Sequence, residues 1–309
     1  MTPRERTRWL EKEARTLGFQ KVGVAAVGEP DAHEARLRAW LARGLHGPLD
    51  YMERTEQERQ DILQVMPSAR SVIALAMSYY RPEYRPEPPL RVSRYAVGQD
   101  YHGLIRKRIR KLRRRILEWA PAARVKPTVD TSPILERAWA ERSGLSWTGK
   151  SCMAIAPDLG TYFFLATLVT DLQFETGEPI PDRCGSCTRC LDACPTAAFE
   201  APGVLDARRC ITTWNVEARN VAGEELPDLH GWLVGCDVCQ EVCPWNKFAV
   251  STSEPAFLPR PGWAHVAPEA LEDSASVSHR IRGTAVQRTG AEAIQRNARV
   301  ILGKPRDVS

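Results

Sequence analysis

No apolar run in this chain approaches the roughly 20 consecutive residues needed to cross a bilayer; the most apolar stretches, Ser71 to Tyr80 and Tyr162 to Leu172, are far shorter. The opening, MTPRERTRWLEKEARTLGF, is charged and helical in pattern and lacks the apolar core of an export signal. The first 178 residues contain no GxGxxG, so no dinucleotide cradle is indicated there. Cysteine is nearly absent outside one region: eight of the nine fall between residues 184 and 243, and the other, Cys152, reads as a buried apolar residue. Acidic residues are missing from 106 to 115, RKRIRKLRRR, a window with eight basic side chains. These gaps argue against a membrane-spanning protein, a nicotinamide or flavin enzyme and a disulfide-stapled secreted domain. They predict a soluble protein of a reducing cytoplasm.

What is present centres on the thiols. Their pattern is Cys184-x2-Cys187-x2-Cys190-x3-Cys194-Pro195, then Cys210, then Cys236-x2-Cys239-x3-Cys243-Pro244. Two-residue spacing wraps three thiolates around one face of a cubane, and the cysteine before proline crosses to the other cluster in two-cluster ferredoxins. Cys184, Cys187 and Cys190 with distant Cys243 would hold one 4Fe-4S cluster. Cys194, Cys236 and Cys239 would hold a second, with Cys210 the nearby candidate for the missing ligand. A pair of zinc sites is the alternative that Cys-x2-Cys pairs leave open.

The order of elements predicts an α/β unit over 1–178, a ferredoxin-like two-cluster domain over 179–250 and a short helical C-terminal segment over 251–309. Ser71 to Ser78 reads as a buried central strand, Lys21 to Val27 and Val125 to Val129 as further strands, and Cys152 to Ala156 and Tyr162 to Thr170 as two more. Ser132 and Pro133 look like the cap and first turn of a helix running from about Ile134 to Arg142. Between Tyr101 and Trp119, Ile105, Ile109, Leu112, Ile116 and Trp119 share one helical face. The basic residues occupy the rest, as a solvated face or a footprint for a polyanion.

Four segments, RYAVGQDYH (94–102), VDTSPILERAWAERSGLSWTGKS (129–151), CGSCTRCLDACPTAAF (184–199) and GCDVCQEVCPWNKF (235–248), resemble the epoxyqueuosine reductases. The resemblance implies an enzyme that reduces epoxyqueuosine to queuosine at the wobble position of tRNA, the last step of queuosine biosynthesis. It implies a reductive-dehalogenase-like N-terminal domain with base-off cobalamin at the end of a wire of two 4Fe-4S clusters, fed by a low-potential electron donor protein. A cytoplasmic monomer follows from the same likeness.

By motif position the resemblance makes Asp130 the proton donor, expected to hold its proton because a dry site disfavours the carboxylate. It puts Arg54, Tyr95, Lys150, Ser151, Thr212 and Asp237 beside the cobalamin, with Ser151 standing where the family has asparagine. For the RNA it points to Arg113, Arg114 and Arg115 of the basic helix and to Lys247. Two other readings share these features: a cobalamin reductase of a small substrate, and a non-catalytic two-cluster electron carrier.

Overall fold

The computed structural model describes residues 1–28, 31–218 and 221–303. Its first unit forms around SVIALAMS, every residue of which is buried. A strand covered on both faces shows a continuous apolar run rather than alternation. Ser71–Ser78 sits inside a four-stranded sheet whose spatial order is Lys21–Ala26, Ser71–Ser78, Phe163–Thr170, Val125–Thr128. All three neighbouring pairs are antiparallel, and Ser71 faces Thr170 while Ser78 faces Phe163.

The two-residue period of the strand sends its side chains to two layers. Ile73, Leu75 and Met77 pack with Leu10 and Ala14 of helix Pro3–Thr16 and with Ile105, Ile109, Leu112 and Ile116 of helix Tyr101–Trp119. Val72 packs with Ile62, Ile134 and Trp139 on the other side, where Ala74 and Ala76 meet Ala140 and Leu145. The basic helix is possible because of this burial. Each fully buried Ile or Leu contributes about 1.5–3 kcal/mol, against a few tenths of a kcal/mol for each like-charge pair one turn apart on its outer face.

The cysteine segment and the C-terminal segment return to this unit. Strand Trp232–Val234 pairs in parallel with Arg91–Val92. Thr252 N–H donates to Tyr80 O, and Phe257 joins the core of Ile105 and Phe164. A second core gathers Val92, Val97, Leu233, Val234, Trp263, Val277 and Ile294. The C-terminal helix spans Ala291–Leu302, inside the segment expected to be helical. Residues 304–309, the end of the expected third segment, lie outside the described residues. Among the described residues no helix is long and apolar enough to cross a membrane.

Two expected elements are shorter than the sequence suggests. The strand expected at Cys152 to Ala156 is reduced to Ala154–Ile155, because Cys152 turns at φ 61° with its N–H on Gly149 O. The helix after Asp130 begins at Glu136, with Leu135 at its cap position, and neither Ser132 nor Pro133 serves as cap or first turn. Tight turns take their place: Thr131 N–H donates to Val129 O at 2.6 Å and Ile134 N–H to Ser132 O at 2.7 Å. Bonds two residues apart close three-residue turns, which are incompatible with helix at those positions.

Candidate active site and cysteine centre

Strand Val125–Thr128 delivers Asp130 into a loop where it adopts φ 53°, a left-handed conformation that Asp tolerates better than most residues. Its N–H donates to Glu136 Oε1 at 3.2 Å. Its Oδ2 stands 2.8 Å from His102 Nε2, and His102 Nδ1 is 2.6 Å from Asp100 Oδ1. Asp100 is also the N-cap of the basic helix and accepts the His102 N–H. The imidazole is thus bracketed by two carboxylates at the end of a rigid helix, with the Tyr101 ring stacked 3.9 Å from its own.

This bracket decides where the proton resides. Burial disfavours the charge on His102, but hydrogen bonds to Asp100 and Asp130 outweigh it and lift the imidazole to about 9. Burial would raise Asp130, yet the His102 hydrogen bond and the charges of His102 and Arg288 hold it below the ordinary carboxylate range. The expectation of a protonated Asp130 is therefore corrected: at neutral pH the pair is carboxylate and imidazolium. The acid kept neutral is Glu136, which burial and then the Asp130 charge push up to about 8. Arg59 and Tyr51 flank the same corner, with the guanidinium 5.8 Å from the phenol centroid.

The thiols converge across the fold. Cys243 has Cys184, Cys190 and Cys187 as charge neighbours, while Cys236 has Cys210 and Cys194, and Cys239 adjoins Cys236 and Cys210. Short helices Arg189–Asp192 and Val238–Glu241 carry the intervening residues. Ala198 N–H points at Cys194 Sγ at 3.3 Å. The Trp147 indole N–H, buried without a hydrogen-bond partner of its own, faces the Cys184 sulfur. Cys184, Cys190, Cys194, Cys210, Cys236 and Cys243, six of the eight, have N–H donors aimed at their sulfurs, which suits anionic, cluster-bound thiolates. As bare thiols Cys236 and Cys239 resist ionisation, since burial pushes the first up to about 12 and the second well above the usual thiol range. Metal binding must therefore displace their protons.

The other residues singled out in the sequence are distributed between these two centres. Lys150 Nζ donates to Gly185 O and Cys187 O, which ties it to the first cysteine loop. Ser151 lies against Cys190, and Thr212 against Cys210. Asp237, 1% exposed, accepts from Arg94 N–H at 2.8 Å and pairs with its guanidinium. Tyr95 lies where a side chain on Gly235 would collide, 3.0 Å from its ring. Arg54 ends a short exposed helix.

On the basic helix, Arg113 Nε donates to Val125 O and Arg115 pairs with Glu13. Arg108 bonds Leu17 O and pairs with Glu254. These three arginines fasten the helix to the fold. Arg106, Lys107, Arg110, Lys111 and Arg114 form an exposed stripe at the spacing of one helical face, and Arg113 beside them is exposed as well. Lys247 is exposed above the Phe248 ring, in an open groove of about 1010 Å³ lined by Cys243.

Sequence reasoning did not find His102, Glu136, Glu217 or Arg288. His102 closes the segment RYAVGQDYH and was legible there as a titratable group two residues past a helix cap. Arg288 and Glu217 come from distant segments and carry no local signal.

Comparison with known proteins agrees with this arrangement. A family model for a 4Fe-4S double cluster binding domain matches residues 183–246, and one for epoxyqueuosine reductase QueG matches residues 59–131. Epoxyqueuosine reductase of Gloeobacter violaceus is 42% identical over 311 aligned residues, covering 96% of both chains. That of Pseudomonas aeruginosa is 42% identical over 94% of this chain and 82% of its own. A crystal structure of epoxyqueuosine reductase with an epoxyqueuosine-modified tRNA-Tyr stem loop superposes with a TM-score of 0.85 at 31% identity, over 96% of this chain and 81% of that one. With this identity along nearly the whole length and the same fold throughout, the chain belongs to the epoxyqueuosine reductase family.

Proposed function

We propose that this chain reduces epoxyqueuosine to queuosine in tRNA, using two 4Fe-4S clusters and cobalamin. The observation that carries the reading is the junction of two chemistries in one chain: eight convergent thiols, and an Asp100–His102–Asp130 array that holds a proton at neutral pH. Its family membership supports the same assignment.

Opening an epoxide to an alkene consumes two electrons and two protons and expels the oxygen as water. An alkoxide leaves poorly unless protonated, so the chain must place an acid beside it. In this reading Asp130 faces the oxygen. His102 Nε2 supplies the proton through Asp130 Oδ2, and Asp100 holds the ring in register at Nδ1. Glu136 fixes the Asp130 backbone and, being neutral, adds no competing charge.

Cys184, Cys187, Cys190 and Cys243 would hold one cluster, and Cys194, Cys210, Cys236 and Cys239 the other. Cobalamin, when bound, would deliver low-potential electrons to the carbon–oxygen bond. Base-off binding is taken from the family resemblance; His102, with both ring nitrogens committed to carboxylates, would not supply a replacement nitrogen ligand. Ser93 Oγ, buried without a partner near Tyr95 and Gly235, is a hydrogen-bonding group suited to a corrin amide. Arg54, Tyr95, Lys150, Ser151, Thr212 and Asp237 are assigned to the same surroundings.

The tRNA is assigned to the stripe Arg106, Lys107, Arg110, Lys111 and Arg114, with Lys247 as a further contact. The stripe begins one helical turn past His102, so a backbone lying along it leads away from the proposed catalytic end. We assign the protein to the cytoplasm, where its substrate and reduced thiols coexist, as a monomer served by a low-potential electron donor protein.

The central test incubates the reconstituted protein with tRNA carrying epoxyqueuosine, reductant and cobalamin, followed by nucleoside mass analysis. Loss of one oxygen is expected, and unchanged mass with fully loaded protein would refute the reading. Asp130→Asn should retain both cofactors and lose at least about a hundredfold in turnover.

The pH dependence follows from His102. Its folded value lies above the ordinary imidazole value, so the proton and the stability it confers are present below about 6.5 and are lost as pH rises through about 9. Turnover at saturating RNA should hold through neutrality and fall near pH 9; a fall centred near 6.5 would remove His102 from the proton path.

Iron analysis should find about eight irons per chain, and about four in Cys210→Ala. Zinc in their place, or an unchanged iron content in that variant, would overturn the ligand assignment. Double reversal of Arg110 and Arg114 to Glu should weaken RNA binding and lower the slope of log affinity against log salt by about two. An unaltered slope would leave the stripe as solvated surface.

A further inference from the structure

One side chain of the C-terminal segment, Arg288, reaches the Asp130 carboxylate, and the Gly283 carbonyl accepts the Asp100 N–H. Arg288 ends the turn Ala285–Arg288 and bridges two other parts of the chain. Its Nη2 donates to Glu217 Oε1 at 2.5 Å, and its Nη1 stands 3.8 Å from Asp130 Oδ2. Glu217 closes the π-helical turn Thr213–Glu217, three residues beyond Cys210 at its start.

That turn is pinned from behind by buried polar groups. Asn297, wholly buried, donates to Asn215 O at 2.8 Å and Leu233 O at 3.1 Å. Arg296 donates to Trp214 O and Ala218 O, and Asn215 donates to Trp232 O and Gly235 O. Breaking such a network strands buried donors and acceptors, so it holds its members in one arrangement. Helix Ala291–Leu302 therefore fixes the turn that carries Glu217, and Glu217 fixes Arg288.

The Asp130 loop is the opposite case. Its residue of left-handed φ and its tight turns leave it little ladder support, and side-chain contacts must set where the carboxylate lies. His102 and Glu136 supply two of them from the N-terminal unit. Arg288 comes from the opposite end of the chain.

We infer that Arg288, held by Glu217, is a positioning residue that latches the Asp130 loop against His102, making the C-terminal segment an obligatory part of the catalytic unit. A half-exposed ion pair at this distance contributes little to stability. Orientation is another matter, since misplacing a reacting group by about 1 Å can lower a rate about a hundredfold. The groups facing the Asp130–His102 pair are Asp100, Glu136, Arg59, Tyr51, Tyr95, Tyr101 and Glu217, so Arg288 is one cation among several charges rather than the source of the proton.

The kinetic part of the inference rests on the reductase reading, so the test has a second, independent arm. Wild type, Arg288→Gln, Arg288→Lys and Glu217→Gln are compared as holoenzymes in amide hydrogen exchange and in turnover. Arg288→Gln should speed exchange across residues 129–135 and leave strand Ser71–Ser78 as protected as before. It should lower kcat by about tenfold or more with KM for RNA within about twofold, and move the alkaline limb to higher pH as a positive charge leaves the pair. Arg288→Lys should restore part of each effect, and Glu217→Gln should reproduce them more weakly.

Wild-type exchange and wild-type kcat in Arg288→Gln would overturn the inference, as would a rise in KM alone, which marks an RNA contact. If Arg288→Gln loses its clusters, Glu217→Gln decides: wild-type exchange at 129–135 in that variant defeats the latch. A wild-type protein without turnover would defeat the reductase reading, while the exchange comparison would still judge Arg288.

Discussion

A charge cannot be left alone in a low-dielectric interior, and the ways this chain avoids it give the site its shape. His102 is buried between Asp100 and Asp130 and Asp237 against Arg94, while the half-exposed Arg288 is held by Glu217. Glu136 meets the same constraint by remaining neutral. The His102–Asp130, Arg94–Asp237 and Arg288–Glu217 pairs each join segments distant in sequence. The pairing that satisfies the electrostatics therefore also assembles the helix end, the Asp130 loop, the cysteine segment and the C-terminal turn into one centre.

The Asp–His–Asp array and the thiols share no residues. The Asp–His–Asp array belongs to the N-terminal sheet and its basic helix, whereas the thiols lie on loops tied to that unit by strand Trp232–Val234 and by Asp237. Burial serves both parts. It makes the His102 charge depend on its two carboxylates, and it makes Cys236 and Cys239 hard to ionise as bare thiols, so the cysteine segment favours its metal-bound form over a free polyanion.

Strong periodicity made several elements legible. The run SVIALAMS is the buried strand Ser71–Ser78, and the helix Tyr101–Trp119 has the bounds and the inward residues that its apolar spacing indicates. Asp130 was singled out by a motif, but its ionisation was misread because desolvation was weighed without the imidazole that opposes it. The Ser132–Pro133 cap failed for a related reason. Cap chemistry is a local preference, and here a loop shaped by Glu136 and His102 overrides it. Of the arginines expected at a polyanion footprint, Arg115 is turned onto Glu13, whereas Arg113 gives only its Nε to a strand carbonyl and stays exposed like Arg110 and Arg114. Only the direction of its side chain around the helix separates Arg115 from those three.

By itself the sequence determined the spacing of the cysteines, the double burial of the central strand and the amphipathic face of the basic helix, because each is a short-range pattern of residue type. Tertiary structure decided who pairs with whom: that His102 carries the proton, that Glu136 stays neutral, and that Arg288 reaches Asp130 from the far end of the chain. Ionisation and orientation depend on charges brought within a few ångströms by folding. No local pattern of residues contains that information.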